Sequence, residues 1–226
     1  MFKAVFLDFY GTLVHEDDVW IDEICGKIAV SSTVQATKGE IGRYWWDSFS
    51  SRLLPSYGDA FITQRDIELM ALEETIAYFG STCHSEELCQ ILFKHCKHWQ
   101  TAPMFEDTLA FLRAVDIPRI IVSNIDRDDI EAAIHHNGLT FDHIITSEDA
   151  RSYKPRSEMF QQALHISNLK PEDVLHIGDS LTNDIVGAHY AGIRAAWINR
   201  RNKPLPQHCT PDYTVHSLIE LIPLLT

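Results

Sequence analysis

The chain has 226 residues, of which 45% are hydrophobic, and a formal net charge of -13 at pH 7. This length and composition are enough for one large domain, or for one domain with a modest insertion. The negative charge argues against a nucleic-acid or anionic-membrane surface, and no apolar run approaches the roughly 20 residues of a membrane span.

The chain opens with a short apolar run, Val5 to Leu7, which meets Asp8 and is soon ended by Gly11 and Thr12. A run of this kind, bounded by turn residues, is typical of a strand buried on both faces of a sheet. Asp8 then lies at the carboxyl edge of the sheet, where open α/β folds place their chemistry. By itself it has two interpretations: a turn-forming or capping residue, or a nucleophile or metal ligand.

Four segments with apolar residues at helical spacing follow the opening strand. They cover residues 17–36, 39–54 and 63–80, and a fourth begins at Ser85 and carries Leu88, Ile91, Leu92 and His95. Thr63 is the predicted N-cap of the third segment. Amphipathic helices with short joints are typical of a compact helical bundle. Aromatic side chains of this region either line its inner face or form its core: Trp45, Trp46, Phe49 and Tyr57.

After Pro103 the pattern changes to alternating strands and helices. Strands are predicted at residues 119–122, 143–146, 174–177 and 195–198, and helices at 106–114, 128–137, 157–165, 183–191 and 217–225. This alternation implies a parallel sheet with helices on both faces. We therefore expect a Rossmann-like α/β core domain over residues 1–14 and 101–226, with a four-helix-bundle cap domain inserted over residues 15–100.

Four of the predicted strands end at polar residues, namely at Asp8, Ser123, Thr146–Ser147 and Gly178–Asp179. Parallel strands share one carboxyl edge, so residues more than a hundred positions apart are expected to converge there. The sequence therefore places a candidate site at this edge.

The five cysteines are an odd number, and the start of the chain lacks a basic region followed by an apolar signal core. We therefore expect reduced thiols and a cytoplasmic protein. One region is rich in candidate zinc ligands: Cys83, His84, Cys89, His95, Cys96 and His98. Their spacing matches no familiar zinc pattern, which favours reduced core cysteines and surface histidines.

Four motifs occur in a fixed order along the chain: Asp8-Phe9-Tyr10-Gly11-Thr12-Leu13, Ser123-Asn124, Lys154-Pro155, and Gly178-Asp179-Ser180 with Asp184. Together they resemble those of the haloacid dehalogenase-like hydrolase superfamily. The helical insertion after the first motif is similar to the C1-type cap of that family. Any one motif alone would be weak, because a lone Lys-Pro is usually a helix start and a lone Gly-Asp a turn.

The resemblance implies a role for each matched residue. Asp8 would be the nucleophile that forms a covalent aspartyl intermediate. Thr12 and Ser123, with Asn124 nearby, would position the anionic group of a small substrate, and Lys154 would offset the negative charge around the nucleophile. In family members that act on phosphate esters, Mg²⁺ is held by residues that correspond here to Asp8, the backbone carbonyl of Tyr10, Asp179 and Asp184.

Position 10 departs from the phosphatase pattern. Phosphatases of the superfamily usually carry a second Asp there, which protonates the leaving alcohol, whereas Tyr is characteristic of its 2-haloacid dehalogenases. A phenol with a pKa of about 10 is a poor proton shuttle at neutral pH. The dehalogenases also use a cap Arg to receive the halide. Arg52 lies in roughly the corresponding region, but a solvated arginine on a helix is the favoured interpretation.

The fourth motif favours the opposite conclusion, because Asp179 and Asp184 have the phosphatase form and join Asp8 at one sheet edge. One Lys cannot balance three such charges, so a divalent cation is expected. The sequence thus favours a Mg²⁺-dependent phosphatase, monomeric or homodimeric, acting on a small anionic substrate. The alternatives are a metal-independent 2-haloacid dehalogenase and a binding or regulatory protein that turns over poorly because of Tyr10.

Overall fold

A computed structural model describes residues 1–16, 18–84, 87, 88, 90, 99–206 and 209–226. Six strands form a single sheet in the order β3-β2-β1-β4-β5-β6, and every neighbouring pair is parallel. The strands are β1 Ala4–Leu7, β2 Arg119–Ser123, β3 His143–Thr146, β4 Val174–Gly178, β5 Arg194–Ile198 and β6 Tyr213–Val215. The predicted α/β sheet is therefore confirmed.

Helices cover both faces of this sheet. The α-helices are α1 Asp18–Ser31, α2 Lys38–Leu53, α3 Gln64–Tyr78, α4 Thr108–Ala114, α5 Arg127–His136, α6 Ser147–Ala150, α7 Glu158–Ser167, α8 Gly187–Tyr190 and α9 Ile222–Leu225. A π-helix, Leu181–Val186, runs directly into α8, and short 3₁₀ turns lie at Gly58–Ala60, Pro171–Asp173 and Leu218–Leu221. No helix in the described ranges is long and apolar enough to cross a membrane.

The side chains of β1 alternate between two hydrophobic clusters. Val5 and Leu7 pack into one cluster, whereas Phe6 packs into the other, and all three are fully buried. Successive residues of a strand point to opposite faces, so each face of the sheet has its own apolar layer under its helices. This explains why the opening strand is a continuous apolar run and not an alternating one.

The helices α1 to α3 have a hydrophobic cluster of their own, which includes Ile24, Ile28, Ile41 and Leu72. The structure thus describes three helices of the predicted four-helix bundle. The fourth predicted segment, from Ser85 through Ile91, Leu92 and His95, lies mostly outside the described residues. The same holds for the candidate zinc ligands Cys89, His95, Cys96 and His98.

Several features differ from the sequence prediction. The first helix ends at Ser31 and not at residue 36, because the chain turns there to pair with the end of α3: Thr33 N donates to the carbonyl of Gly80 at 3.2 Å. The sequence does not predict the edge strand β6, because three residues are too few to show the two-residue alternation of a strand. The helix predicted from residue 183 begins at Leu181, as the π-helix.

Candidate active site

The carboxyl edge of the sheet brings together the ends of its three central strands. Strand β1 lies between β2 and β4, with Leu7 in register with Ile121 on one side and Ile177 on the other. Asp8 follows β1 directly, and its backbone N–H donates to the carbonyl of Ile177 at 2.9 Å. The strand order reverses between β1 and β4, which is the position where open α/β sheets form their ligand crevice.

The carboxylate of Asp8 is buried and hydrogen-bonded at both oxygens. Its Oδ1 accepts from Lys154 Nζ at 2.8 Å and from Ser123 Oγ at 3.1 Å. Its Oδ2 accepts only a long bond, 3.3 Å, from Thr12 Oγ1. Burial raises the pKa of Asp8, and the ammonium of Lys154 opposes that shift. Of the two oxygens, Oδ2 is therefore the less engaged and the better placed to react.

All three ammonium protons of Lys154 are used inside the protein. Besides Asp8, Nζ donates to Asp184 Oδ1 at 2.6 Å and to the carbonyl of Val122 at 2.9 Å, and the side chain is only 2% exposed. Burial opposes the charge, but the carboxylates of Asp184 and Asp8 raise the pKa of Lys154 above its ordinary value. The lysine is therefore a fixed cation between two carboxylates.

Asn124 holds the backbone at Lys154 and is not aimed at the Asp8 carboxylate. Its Oδ1 accepts from the backbone N–H of Lys154 at 2.8 Å, and its Nδ2 donates to the carbonyl of the same residue at 3.2 Å. This pair of bonds fixes the loop that carries the lysine. A substrate-binding role for Asn124 remains a prediction.

Asp184 is fully buried and has a complete set of partners. Its Oδ2 accepts from the backbone N–H of Ser180 at 3.0 Å, and its Oδ1 lies 3.0 Å from His176 Nε2 and accepts the bond from Lys154. Burial works against ionisation, but the charge of Lys154 and the His176 contact hold the pKa of Asp184 below its usual range. A Cβ on Gly178 would lie 2.2 Å from its Cγ, so only glycine fits there.

Asp179 differs from Asp184 in that burial and repulsion from neighbouring carboxylates outweigh the attraction of the nearby ammonium of Lys203. Burial, followed by repulsion from Asp8 and Asp184, raises the pKa of Asp179 to about 8. Its backbone carbonyl accepts from Trp197 Nε1 at 2.8 Å, which fixes the chain at this point. Its carboxylate sits against Gly11, where a Cβ would lie 2.7 Å from Cγ.

Asp8, Asp179 and Asp184 form the one cluster of possible metal ligands found among the described residues. Each offers an oxygen atom, and these atoms lie within 4.8 Å of one another. An all-oxygen set of carboxylates is what magnesium prefers. Lys154 has no donor to spare for Asp179, so the residues present fit a divalent cation. The backbone carbonyl of Tyr10 as a further ligand remains a prediction.

The side chain of Tyr10 is directed away from proton transfer at Asp8. Its hydroxyl donates to the backbone carbonyl of Trp99 at 3.0 Å, and its ring meets Phe9 edge-on with centroids 5.1 Å apart. Burial, followed by the charges of Asp129 and Asp8, raises the pKa of Tyr10 well above its ordinary value. The phenol therefore stays protonated, and its proton is committed to a backbone carbonyl.

A cavity of about 590 Å³ opens above this cluster and reaches the helices α2 and α3. Its wall on that side is formed by Trp45, Trp46, Phe49, Gln64 and Glu68. Three of the four predicted aromatic residues therefore line the cavity. Tyr57 does not: it packs under the guanidinium of Arg156, 3.7 Å from the ring centroid.

Arg52 is engaged within the helical segment and is absent from the lining of this cavity. Its guanidinium donates to Ser48 Oγ at 2.7 Å and to Glu74 Oε2 at 2.5 Å. Glu74 lies on α3, so the pair joins α2 to α3. An arginine tied in this way does not serve as a halide receptor in this conformation.

The helical segment is tied to the core beside the site. Asp126 accepts from the backbone N–H groups of Gln64 and Arg65 at the start of α3, both at 3.0 Å. Tyr153, next to Lys154, donates its hydroxyl to the carbonyl of Ile62 at 2.8 Å. These bonds hold the wall of the cavity in a defined position over the carboxylates.

Sequence reasoning missed His176 and Trp197, which contact Asp184 and Asp179 respectively. His176 is fully buried in β4, and its ring meets Phe160 edge-on with centroids 4.9 Å apart. A histidine inside an otherwise apolar strand was the available signal, since buried polar side chains need a partner. Trp197 gave no such signal, because a Trp in a buried strand is ordinary core.

Comparison with known proteins agrees with this architecture. A family model described as haloacid dehalogenase-like hydrolase matches residues 2–192. Haloacid dehalogenase-like hydrolase domain-containing protein 3 of Danio rerio is 30% identical over 182 residues, covering 76% of this chain and 74% of that protein. Pyrophosphatase PpaX of Bacillus mycoides is 28% identical over 232 residues, covering 99% and 97%. The solved L-2-haloacid dehalogenase of Xanthobacter autotrophicus superposes with a TM-score of 0.77 at 19% identity, covering 99% and 98%.

Proposed function

This chain belongs to the haloacid dehalogenase-like hydrolases, and we propose that it is a Mg²⁺-dependent phosphatase that acts on a small phosphate ester through an aspartyl phosphate on Asp8. The observation that carries the proposal is the cluster of Asp8, Asp179 and Asp184 around a lysine with no spare donor. The relative PpaX, similar over almost the whole chain, is named a pyrophosphatase, which also supports phosphate chemistry.

Asp8, Asp179 and Asp184 would hold the magnesium ion. Bound there, the ion supplies positive charge that offsets the carboxylates and the oxygens of a substrate phosphate. We also propose that residues 15–100 act as a cap domain over the core of residues 1–14 and 101–226, since the cavity lies between the two.

The first chemical step needs an ionised, oriented carboxylate. Lys154 and Ser123 hold Asp8 Oδ1, which leaves Oδ2 to attack phosphorus. A bond then forms between Oδ2 and phosphorus while the bond from phosphorus to the leaving oxygen breaks. Water attacks the phosphorus of the acyl phosphate in the second step, which releases phosphate and restores Asp8.

The leaving oxygen must take a proton from water or carry its own stable negative charge. Tyr10 does not supply the proton, because its hydroxyl donates to Trp99 and its pKa is raised. General acid catalysis contributes about 10²–10⁴-fold in enzymes that have it. We therefore propose slow turnover of alkyl phosphates and faster turnover where the leaving group is a weak base.

The proposed function is tested by measuring phosphate release from alkyl, aryl and acyl phosphates and from pyrophosphate, with magnesium and with EDTA. We expect release that needs magnesium and that rises as the leaving group becomes less basic. Turnover of 2-chloropropionate in EDTA, with no phosphate released from any ester, would contradict the proposal.

A 2-haloacid dehalogenase is the second candidate, and Tyr10 is the observation that favours it. A halide leaves without a proton, so that chemistry needs no acid at this position. Two features count against it: the acidic pair Asp179 and Asp184, and the engagement of Arg52 with Glu74. The 2-chloropropionate assay in EDTA separates the two candidates directly.

Replacing Tyr10 by Asp is expected to raise the steady-state turnover of an alkyl phosphate by at least about tenfold, because a carboxylic acid can protonate the leaving oxygen and later activate water. Tyr10→Phe is the matched control: it also removes the hydroxyl bond to Trp99 but adds no acid. Acid-quenched samples should contain less phosphorylated Asp8 in Tyr10→Asp than in wild type. If phospho-Asp8 persists in Tyr10→Asp and turnover is not accelerated, the result would favour a binding or regulatory protein that turns over poorly.

Replacing Gly11 by Ala is expected to weaken magnesium binding. The new Cβ would meet Asp179 Cγ at 2.7 Å, at a backbone φ of +79° that disfavours a side chain. Gly138→Ala is the matched control, since Gly138 has a φ of +63° and open space around its Cβ position. Both variants should lose about 1 kcal/mol of unfolding free energy from the positive φ, and Gly11→Ala should lose more because its Cβ clashes with Asp179. Only Gly11→Ala should show a smaller rise in Tm on addition of magnesium, and equal rises would contradict the proposed role of Asp179.

A further inference from the structure

His176 lies at an unusual place for a polar side chain. It stands in the middle of β4, whose other residues are hydrophobic or glycine, and it is fully buried. Its Nδ1 has no hydrogen-bond partner among the described residues. Leaving a buried polar atom unpaired is unfavourable, so an apolar side chain would suit the core better. The histidine therefore needs a reason other than packing.

Within the described part of the chain, the one hydrogen bond of this ring is with Asp184. His176 Nε2 lies 3.0 Å from Asp184 Oδ1, and the same oxygen is 2.6 Å from the ammonium of Lys154. A carboxylate paired with an ammonium is ionised and can only accept hydrogen bonds. A bare ring nitrogen would turn its lone pair toward a negative oxygen, so Nε2 carries a proton. His176 is therefore a hydrogen-bond donor to Asp184.

The bonds to Asp184 occupy its two oxygens unequally. A carboxylate has about four acceptor positions, shared evenly between its oxygens. Oδ1 accepts from both His176 and Lys154, whereas Oδ2 accepts only from the backbone N–H of Ser180, at 3.0 Å. The remaining acceptor position is thus on Oδ2. This is the oxygen that a cation could use.

Strand β4 gives this carboxylate a rigid support. His176 and Gly178 are two residues apart, so they share one face of the strand. The ring packs edge-on against Phe160, and a Cβ on Gly178 would lie 2.2 Å from Asp184 Cγ. The strand is paired on both sides, with β1 and β5. Lys154 cannot orient Asp184 in the same way, because its ammonium is shared with a second carboxylate.

We propose that His176 is a positioning residue of the metal site: its Nε2–H bond holds Asp184 Oδ1 against β4, which keeps Oδ2 available to a cation bound by the three carboxylates. Without this bond, the carboxylate can rotate about its Cβ–Cγ axis, and Lys154 can draw either oxygen to itself. This inference rests on the proposed magnesium-dependent function. It adds a residue that contacts no substrate and sets the affinity for the ion.

The test measures the magnesium Kd from the rise in Tm across a magnesium titration. His176→Phe keeps a ring but removes the donor, and it is expected to raise this Kd by about 10- to 100-fold, the range seen when a group that orients a metal ligand is lost. His176→Gln, whose amide can donate, should recover part of the loss. Phosphate release at saturating magnesium should stay close to wild type in both variants, since Asp8 and Lys154 are unchanged. His176→Leu also lacks the donor and takes the place of His176→Phe if that variant does not fold.

Val174→Ala is the matched control, because Val174 is buried in the same strand and the same hydrophobic cluster but is not one of the possible metal ligands. It should lower the Tm and leave the magnesium Kd unchanged. The nitrogen NMR signals of the His176 ring supply a second readout, which needs neither metal nor turnover, and they should show a proton on Nε2.

A wild type whose Tm does not rise with magnesium would contradict both the proposed function and the role of His176. A wild-type Kd in His176→Phe, or an equal loss of affinity in Val174→Ala, would overturn the role of His176 alone. A ring that carries no proton on Nε2 would do the same.

Discussion

Replacing Asp8 by Asn is expected to lower phosphate release by about 10³-fold or more, since a carboxamide cannot form the acyl phosphate. The fold should persist, because Lys154 keeps its bonds to Asp184 and Val122. Phosphate release from an activated aryl phosphate, together with the mass of acid-quenched protein, measures both turnover and the covalent intermediate. We expect neither product nor phosphorylated protein.

Asp116→Asn is the matched control for that variant. It makes the same change of charge at an exposed position after α4, and it should retain wild-type turnover. Substantial activity in Asp8→Asn, beyond that explained by deamidation back to Asp, would rule out Asp8 as the nucleophile.

Replacing Lys154 by Met is expected to cost about 3–5 kcal/mol of unfolding free energy at neutral pH, in the range seen when one partner of a buried ion pair is removed. The substitution leaves the carboxylates of Asp8 and Asp184 buried without their cation. Turnover should fall as well, because the pKa of Asp8 rises further and less of the nucleophile is ionised. Denaturant unfolding and phosphate release measure the two effects.

Lys3→Met provides the comparison for a surface pair. Lys3 lies 2.9 Å from Asp173, but its side chain is 64% exposed, and pairs in water contribute little. Its loss should change the stability only slightly. If Lys154→Met is as stable as Lys3→Met, Lys154 is not the buried cation that stabilises Asp8 and Asp184.

Magnesium should restore part of the stability lost in Lys154→Met. A ligand that binds only the native state stabilises it by mass action, and a cation among Asp8, Asp179 and Asp184 replaces some of the missing positive charge. The rise in Tm with magnesium is therefore expected to be larger in this variant than in wild type. This comparison separates a metal site from a cluster stabilised by lysine alone.

Several features of the protein follow from local sequence. Short apolar runs that end in polar residues predict the strands and the edge where they converge, because burial on both faces requires a continuous apolar strand. Strands β1 to β5 and their parallel pairing appear as predicted. The helix start at Thr63 is equally local, since its side chain accepts from the N–H of Asp66 only three residues away.

Other features depend on contacts between distant segments. The hydroxyl of Tyr10 meets the carbonyl of Trp99, Arg52 meets Glu74, and His176 meets Asp184. No rule of sequence spacing predicts such pairs, because two distant side chains come into contact only when the helices or strands that carry them pack together. The short strand β6 is decided in the same way, by pairing with β5.

The sequence by itself therefore determined the architecture and the strand-end residues that meet at the sheet edge, since the hydrophobic pattern sets both, and the resemblance of its motifs added Lys154 and Asp184. The tertiary structure alone decided how those residues are engaged. Lys154 is saturated by two carboxylates and a carbonyl, Asp179 lies against Gly11, and the proton of Tyr10 is committed elsewhere. Ionisation, metal fit and proton transfer depend on burial and on distances of a few ångströms, which the order of residues along the chain does not specify.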